Sequence, residues 1–172
     1  MFLETERLLL RPFTQEDAAF VLELVNTEGW LKNIGDRGVH TLEDAEAYLQ
    51  TRIISAYEKY GYGLNALIQK TDDTLIGMVG LVNRDSLQHP DLGFAVLPAY
   101  MGKGYTTEIA QVVLEYADEV LDIAELSAIT IPENMPSRRV LEKCGFQLSG
   151  EMTEANGDRL LVYSRAQKKK DG

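Results

Sequence analysis

Two short segments carry residue types that can do chemistry. The first is Met101-Gly102-Lys103-Gly104-Tyr105-Thr106. A strand-like run, Leu92 to Leu97, leads into it, and an amphipathic helix pattern follows. Both glycines therefore fall where the chain turns from strand to helix. Backbone N–H groups at such a helix start can hold a diphosphate. The second segment runs from Asn134 through Ser137 to Phe146, with a helix-capping residue at its head and Gly145 at its end. A glycine loop alone indicates an anion. The two segments in this order point to a specific class of enzyme.

Other chemistries are poorly served. Cys144 is the only cysteine, so no internal disulfide forms. It stands with Val140 and Leu141 on the inward face of a short helix, which reads as apolar filler rather than a nucleophile. His40 and His89 are far apart and in no ligand spacing, so a thiolate or histidine-rich zinc site is excluded. An all-carboxylate metal site stays open on these grounds. The formal net charge is −10, from 17 basic and 27 acidic side chains. That balance argues against nucleic acid, whose phosphates demand a basic face. It is compatible with a cationic partner such as an amine or basic peptide, and equally with acidity that serves solubility. No apolar run approaches about 18 residues, so no spanning helix is expected. The opening residues are acidic where a signal peptide is basic, which predicts a cytoplasmic protein.

The elements that must position these segments are legible from period and punctuation. Phe2 and Leu3, continuing through Leu8-Leu9-Leu10, read as one first strand stopped by Pro12. Thr14 with Asp17, and Thr41 with Asp44, are hydroxyl-plus-carboxylate helix starts. The first helix ends near Asn26. The second runs to about Lys59, with Leu42, Ala45, Leu49, Ile53 and Ala56 as its apolar stripe. Trp30 to His40 reads as a loop between them. Three strands follow: Tyr62 to Gln69, Leu75 to Val82 and Asp91 to Leu97. Gly77 and Gly80 interrupt the second, for close approach or a bulge. The helix after the glycine loop has Ile109, Val112, Val113, Tyr116, Ala117 and Val120 on one side. Glu108, Gln111, Glu115 and Asp118 take the other. Glu125 to Ile131 is a strand apolar on both faces, hence interior. Asn134 caps a short helix with Pro136 in its first turn. Phe146 to Leu148 and Arg159 to Arg165 are final strands around the Asn156-Gly157 turn. The order implies an α/β (α+β) domain on a mixed sheet. Residues 1–166 form one domain and 167–172 a polar tail expected to be disordered. The glycines come mid-chain after a meander, which excludes a Rossmann domain.

With these motifs in this order, the chain resembles the GCN5-related N-acetyltransferase (GNAT) superfamily. Within it the likeness is to the branch that acetylates ribosomal-protein N-termini at alanine or serine, together with its small-amine relatives. The likeness covers nearly all of the chain. It rests on Thr5-Glu-Arg-Leu-Leu-Leu-Arg-Pro12, Asp91-Leu-Gly-Phe94, Tyr100 to Glu108, Asn134-x-x-Ser137 and Val140 to Phe146. It implies a mostly antiparallel central sheet with helices on both faces. The strand Leu92 to Leu97 would splay from a parallel neighbour, Glu125 to Ile131, to admit the pantetheine arm of acetyl-CoA. Backbone of Phe94, Ala95 and Val96 would pair with that arm, and an N–H near Ala95 or Val96 would hold the oxyanion. Met101, Gly102, Lys103, Gly104, Tyr105 and Thr106 would cradle the pyrophosphate. Met101 and Thr106 depart from the family pattern, which has a long polar and a small residue there. Thr106 can donate its hydroxyl to phosphate or crowd the helix start. Asn134 would reach the pantetheine, Arg139 and Lys143 the CoA phosphates, and Ser137 the departing thiolate. Asp91, where the branch often has Glu, would serve as base through a water. Trp30, Asn33, His40 and Tyr48 would line the acceptor pocket. The implied activity is acetyl transfer to a primary amine, from acetyl-CoA as cosubstrate, without a metal, by a monomer or homodimer. A non-catalytic acyl-CoA-binding or sensor domain on the same fold is the alternative, and a module that has lost CoA is the remotest reading.

Overall fold

The computed structural model describes residues 1–168; residues 169–172 of the predicted tail lie outside them. Within the described part of that tail, Gln167 is tied down. Its N–H donates to the Ala124 carbonyl at 2.9 Å, and its amide nitrogen donates to the Asp118 carbonyl at 2.9 Å and to Asp122 Oδ1 at 2.7 Å.

Eight strands form one sheet. They are β1 (Leu3–Glu4), β2 (Leu8–Pro12), β3 (Leu64–Gln69), β4 (Thr74–Val82), β5 (Asp91–Val96), β6 (Glu125–Thr130), β7 (Gln147–Thr153) and β8 (Arg159–Ala166). Their spatial order is β1-β2-β3-β4-β5-β6-β8-β7. Every pairing is antiparallel except β5 with β6. This is the mixed, mostly antiparallel sheet of the GNAT-like α/β fold.

The helices cover both faces. On one side lie α1 (Ala18–Val25), α2 (Glu28–Asn33) and a long helical run of α3 (Leu42–Tyr48), a π-helical stretch (Leu49–Ile54) and α4 (Ser55–Tyr60). Val21, Leu24, Ala45, Leu49 and Ile53 pack there on Ala66 and Met78 of the sheet. On the other side lie α5 (Tyr105–Glu119) and α6 (Met135–Lys143). Ile109, Val113, Ala117 and Leu141 pack there on Leu10, Leu67, Val79 and Leu126.

Several expectations need correction. The predicted first strand is two strands, folded back at Thr5: its N–H donates to the Leu8 carbonyl at 2.9 Å, and its hydroxyl accepts from the Leu8 N–H at 3.1 Å. The predicted loop from Trp30 begins inside α2, which Thr27 caps by accepting from the Trp30 N–H. Asp118, placed on the solvent side of α5, is buried and ion-paired with Arg165 at 2.8 Å. Val120, read as apolar-face, is exposed. β7 extends to Thr153, well past Leu148. Gly80 does mark a close approach, since a Cβ there would lie 2.0 Å from the Gly63 carbonyl oxygen. A register shift also falls beside Gly77, between Leu67 and Ile68 of β3.

Candidate active site

The site begins with an incomplete sheet. β4 pairs with β5 along six residues, from Gly77↔Val96 to Val82↔Asp91. β8 pairs with β6 just as fully. Between β5 and β6 only Asp91↔Ser127 is in register, supported by the Ser127 N–H donating to the Pro90 carbonyl at 2.9 Å. Beyond that point the two parallel strands part. A cavity of about 550 Å³ fills the gap, lined by Leu92 to Ala95 of β5, Ala128 to Thr130 of β6, and Asn134, Ser137 and Leu141 around α6. The cavity continues over α2, α3 and the π-helical stretch, where Trp30, Asn33, Tyr48 and Arg52 line it.

Asp91 stands at the apex of the gap. It is 1% exposed, and Arg84 Nε donates to its two oxygens at 3.1 and 3.2 Å. Burial pushes its carboxyl above the usual range, and the Arg84 guanidinium opposes that shift. Asn134 caps α6, its side-chain oxygen accepting from the Ser137 N–H at 3.3 Å. Arg138 fixes this turn from outside the cavity, donating to the Pro132 carbonyl at 3.0 Å and to the Tyr163 hydroxyl at 3.1 Å. Trp30 is buried, and its indole N–H has no acceptor among the described residues.

The glycine loop lies where β5 hands over to α5. Gly102 and Gly104 have φ of +75° and +78°, left-handed values that a side chain disfavours. Gly104 is the N-cap of α5, so the free N–H groups of a fifteen-residue helix open at the loop. Arg7 holds the loop in place. It donates to the Lys103 carbonyl at 3.0 Å and to Glu108 Oε1 at 2.8 Å, and stacks over Tyr105 at 4.4 Å. Thr5 donates to the other Glu108 oxygen at 2.5 Å, and together these partners hold Glu108 below the ordinary carboxylate range in spite of its partial burial.

Of the residues singled out from sequence, the cavity brings together Trp30, Asn33, Tyr48, Asp91, Phe94, Ala95, Asn134 and Ser137. Val96 ends β5 without lining the cavity. Met101 to Gly104 form an exposed turn, and Tyr105 and Thr106 begin α5 beside it. Arg139 and Lys143 are on the exposed side of α6. His40 lies outside the lining. It is exposed, 3.5 Å from Asp36, and its N–H donates to Asp44 Oδ2 at 3.0 Å. Sequence reasoning missed Arg7, Arg37, Arg52 and Arg84. Arg7 lies in the opening motif without a role read for it, the other three sit in no motif, and each acts through a partner remote in sequence or through a cavity that only the fold creates. Cys144 is buried in the core, where burial pushes its thiol up, away from a nucleophilic thiolate.

A mixed sheet opened between two parallel strands, with a glycine turn at the head of the following helix, is the architecture of the GNAT-fold acetyltransferases. Comparison with known proteins agrees. The acetyltransferase (GNAT) domain family matches residues 7–147, and the chain belongs to this family of acetyl-CoA-dependent acetyltransferases. It is 33% identical over 150 residues to the uncharacterized N-acetyltransferase YnaD of Bacillus subtilis (strain 168), covering 87% of this chain and 85% of that one. It is 25% identical over 146 residues to spermidine N(1)-acetyltransferase of Escherichia coli (strain K12), covering 83% and 74%. Among solved structures it is similar to a GNAT-family acetyltransferase from Bacillus anthracis, with a TM-score of 0.81 at 27% identity, covering 98% of this chain and 100% of that one.

No group of three or more metal-ligating side chains occurs among the described residues, and none of their helices is long and apolar enough to cross a membrane.

Proposed function

We propose that this chain transfers the acetyl group of acetyl-CoA to a primary amine by direct attack in a ternary complex. The observation that carries the reading is the gap between β5 and β6, where the edge of β5 that faces β6 has no strand partner beyond Asp91. Unpaired strand backbone is suited to a ligand that carries amides of its own, as the pantetheine arm does. Phe94, Ala95 and Val96 pair with that arm, and Asn134 reaches it from the head of α6. The turn Met101 to Thr106 takes the pyrophosphate on the amides that begin α5. Arg139 and Lys143, one turn apart on the exposed side of α6, add charge for the CoA phosphates.

The reaction forms one bond and breaks one. The neutral amine nitrogen attacks the thioester carbon, a backbone N–H of β5 near Ala95 or Val96 holds the oxyanion, and the C–S bond then breaks. Asp91 takes a proton from the acceptor nitrogen through a water, the Ser137 hydroxyl gives its proton to the departing thiolate, and solvent returns a proton to Ser137 as Asp91 releases its own. A carboxyl raised by burial is a stronger base than a free aspartate, which suits Asp91 to this task. Trp30, Asn33 and Tyr48 face the acceptor, with His40 at the outer edge of the same helical layer. Both a peptide N-terminus, the acceptor of the ribosomal-protein branch, and a small amine fit this scheme. A cytoplasmic setting, with the chain as monomer or homodimer, accompanies it.

The close Asp91–Arg84 pair and the departures at Met101 and Thr106 favour a second reading, a non-catalytic acyl-CoA sensor. Purified protein with labelled acetyl-CoA and a panel of primary amines separates the two. Acetylated product supports transfer. CoA binding with no product from any amine supports the sensor.

A further inference from the structure

The acceptor end of the cavity is charged in a way the composition does not predict. Arg37 comes from the loop after α2, Arg52 from the π-helical stretch and Arg84 from the end of β4, and all three line the cavity. Burial pushes the Tyr48 hydroxyl above its ordinary range, and the three guanidiniums, which share its cavity, oppose that shift. Arg84 is committed to Asp91. Arg37 and Arg52 make no ion pair and no side-chain hydrogen bond with a described residue, although the chain has 27 carboxylates to 17 basic groups. The neighbouring Asp36 does not neutralise Arg37, because its carboxylate accepts from the Gly38 N–H at 2.8 Å and faces His40. Lys32 adds a further cation to the lining. The lining carboxylates other than Asp91 belong to Asp85 and to Glu154 and Asp158 around the β7–β8 turn. The lining thus carries two unpaired guanidiniums, from the loop after α2 and from the π-helical stretch, as well as carboxylates near β5 and around the β7–β8 turn. A π-helical stretch inside a longer helix commonly marks a functional position, and here it presents Arg52.

We infer that the acceptor is a small primary amine that also carries a carboxylate, with Arg37 and Arg52 holding the carboxylate. Guanidinium matches carboxylate geometry with paired donors, and two unpaired guanidiniums lining one cavity can take a carboxylate between them. The inference rests on the acetyltransferase reading and narrows its acceptor. A polyamine would bring further positive charge to these guanidiniums, and a plain alkylamine would leave them without an anion.

Matched probes test it: methionine against methioninamide, 5-aminovalerate against pentylamine, with spermidine and an alanine-led tripeptide amide alongside. Each is assayed for turnover with labelled acetyl-CoA and, by calorimetry, for binding to CoA-saturated protein. The carboxylated member of at least one pair should exceed its partner by roughly 10-fold in kcat/KM or affinity, as one charge-assisted pair provides. Arg37→Ala and Arg52→Ala should bring that ratio toward one through KM, and Arg52→Lys should keep part of it. Melting curves confirm that each variant is folded. Turnover without preference for the carboxylate, preference for spermidine or the tripeptide amide, or a preference indifferent to both arginines overturns the inference and leaves acetyl transfer standing. Arginine-dependent binding of the carboxylated amines without turnover supports the assignment of Arg37 and Arg52 to the carboxylate and overturns acetyl transfer, and with it the ligand's role as acceptor. Neither binding nor turnover of any probe overturns both.

Discussion

Replacing Gly104 by alanine tests whether the loop is an anion cradle. Gly104 has φ of +78° and ψ of 6° and caps the fifteen-residue α5. An alanine Cβ would meet only Arg7 Nη2, at 3.6 Å, an ordinary contact. Steric overlap therefore contributes nothing, and the cost is the left-handed backbone itself, about 1–2 kcal/mol. The variant has two ways to meet that cost. If the turn keeps its shape, the whole loss appears as stability, a fall in Tm of about 2–8 °C for a domain of this size. If the turn relaxes, CoA must restore it, and the same free energy appears as a Kd raised about 5- to 30-fold. Gly61 supplies the control. Its φ is +79°, an added Cβ there meets nothing within 4 Å, and it ends α4 away from the glycine loop. Gly61→Ala should lose a similar Tm and leave CoA affinity unchanged. Calorimetric titration with CoA, beside thermal unfolding of both variants, reads the two quantities separately. CoA affinity within twofold of wild type together with an unchanged Tm in Gly104→Ala would refute the reasoning, and so would an equal loss of affinity in Gly61→Ala.

Three further outcomes are expected. Asp118→Ala leaves the buried Arg165 guanidinium without its carboxylate, whose two oxygens accept at 3.0 and 2.8 Å. It should cost about 3–5 kcal/mol in urea unfolding, and a loss under about 1 kcal/mol would mean that water reaches the pair. Asp91 is raised in the fold, so the native state binds its proton more tightly than the unfolded chain does, and stability falls as pH rises from the ordinary carboxylate value through the raised one. Asp91→Asn should lack that descent in a Tm-against-pH series and lose most rate with amines protonated at the assay pH; an unaltered descent would contradict the burial argument, and unaltered turnover across pH would remove Asp91 as base. Ser137→Ala should lower kcat by on the order of 100-fold while CoA affinity changes little, and equal losses in both would make Ser137 a binding residue.

How much of this was legible depends on whether a residue answers to its neighbours in sequence or to distant ones. The glycine turn, α5, and the capped start of α6 are local, and each was readable from period and punctuation. The pattern understates β7 because Gln147–Thr153 is an edge strand with mostly exposed side chains, so no alternation marks it. The short helix α2 is hidden by Gly29 in its interior, which lowers helix propensity, and by a cap at Thr27 with Trp30 rather than a carboxylate at the third helical position. Asp118 obeys the helical pattern of a surface residue until β8 brings Arg165 beside it. The three cavity arginines, Arg37, Arg52 and Arg84, leave no trace in the pattern, because a cation on a loop or helix face reads as solvated whether or not a cavity lies in front of it.

The missing ladder between β5 and β6 bears on where specificity resides. Fraying does not explain it. Each strand is fixed along its outer edge by a full antiparallel ladder, and Leu92, Leu126 and Ala128 from the two strands belong to one packed core. The inner edges are held apart by a structure that is otherwise satisfied. Backbone N–H and C=O groups there must find water or a ligand, since leaving one buried and unpaired costs about 1–3 kcal/mol. A ligand with amides at strand-like spacing meets that need whatever side chains β5 carries. Recognition of such a ligand is thus a property of the main chain, which is why the departures at Met101 and Thr106 are compatible with it. Side chains are then free to vary on the opposite wall, where Trp30, Tyr48, Arg37 and Arg52 stand. The acceptor is accordingly to be sought in the charges of that wall, and substitutions there should change which amine is used before they change whether CoA binds.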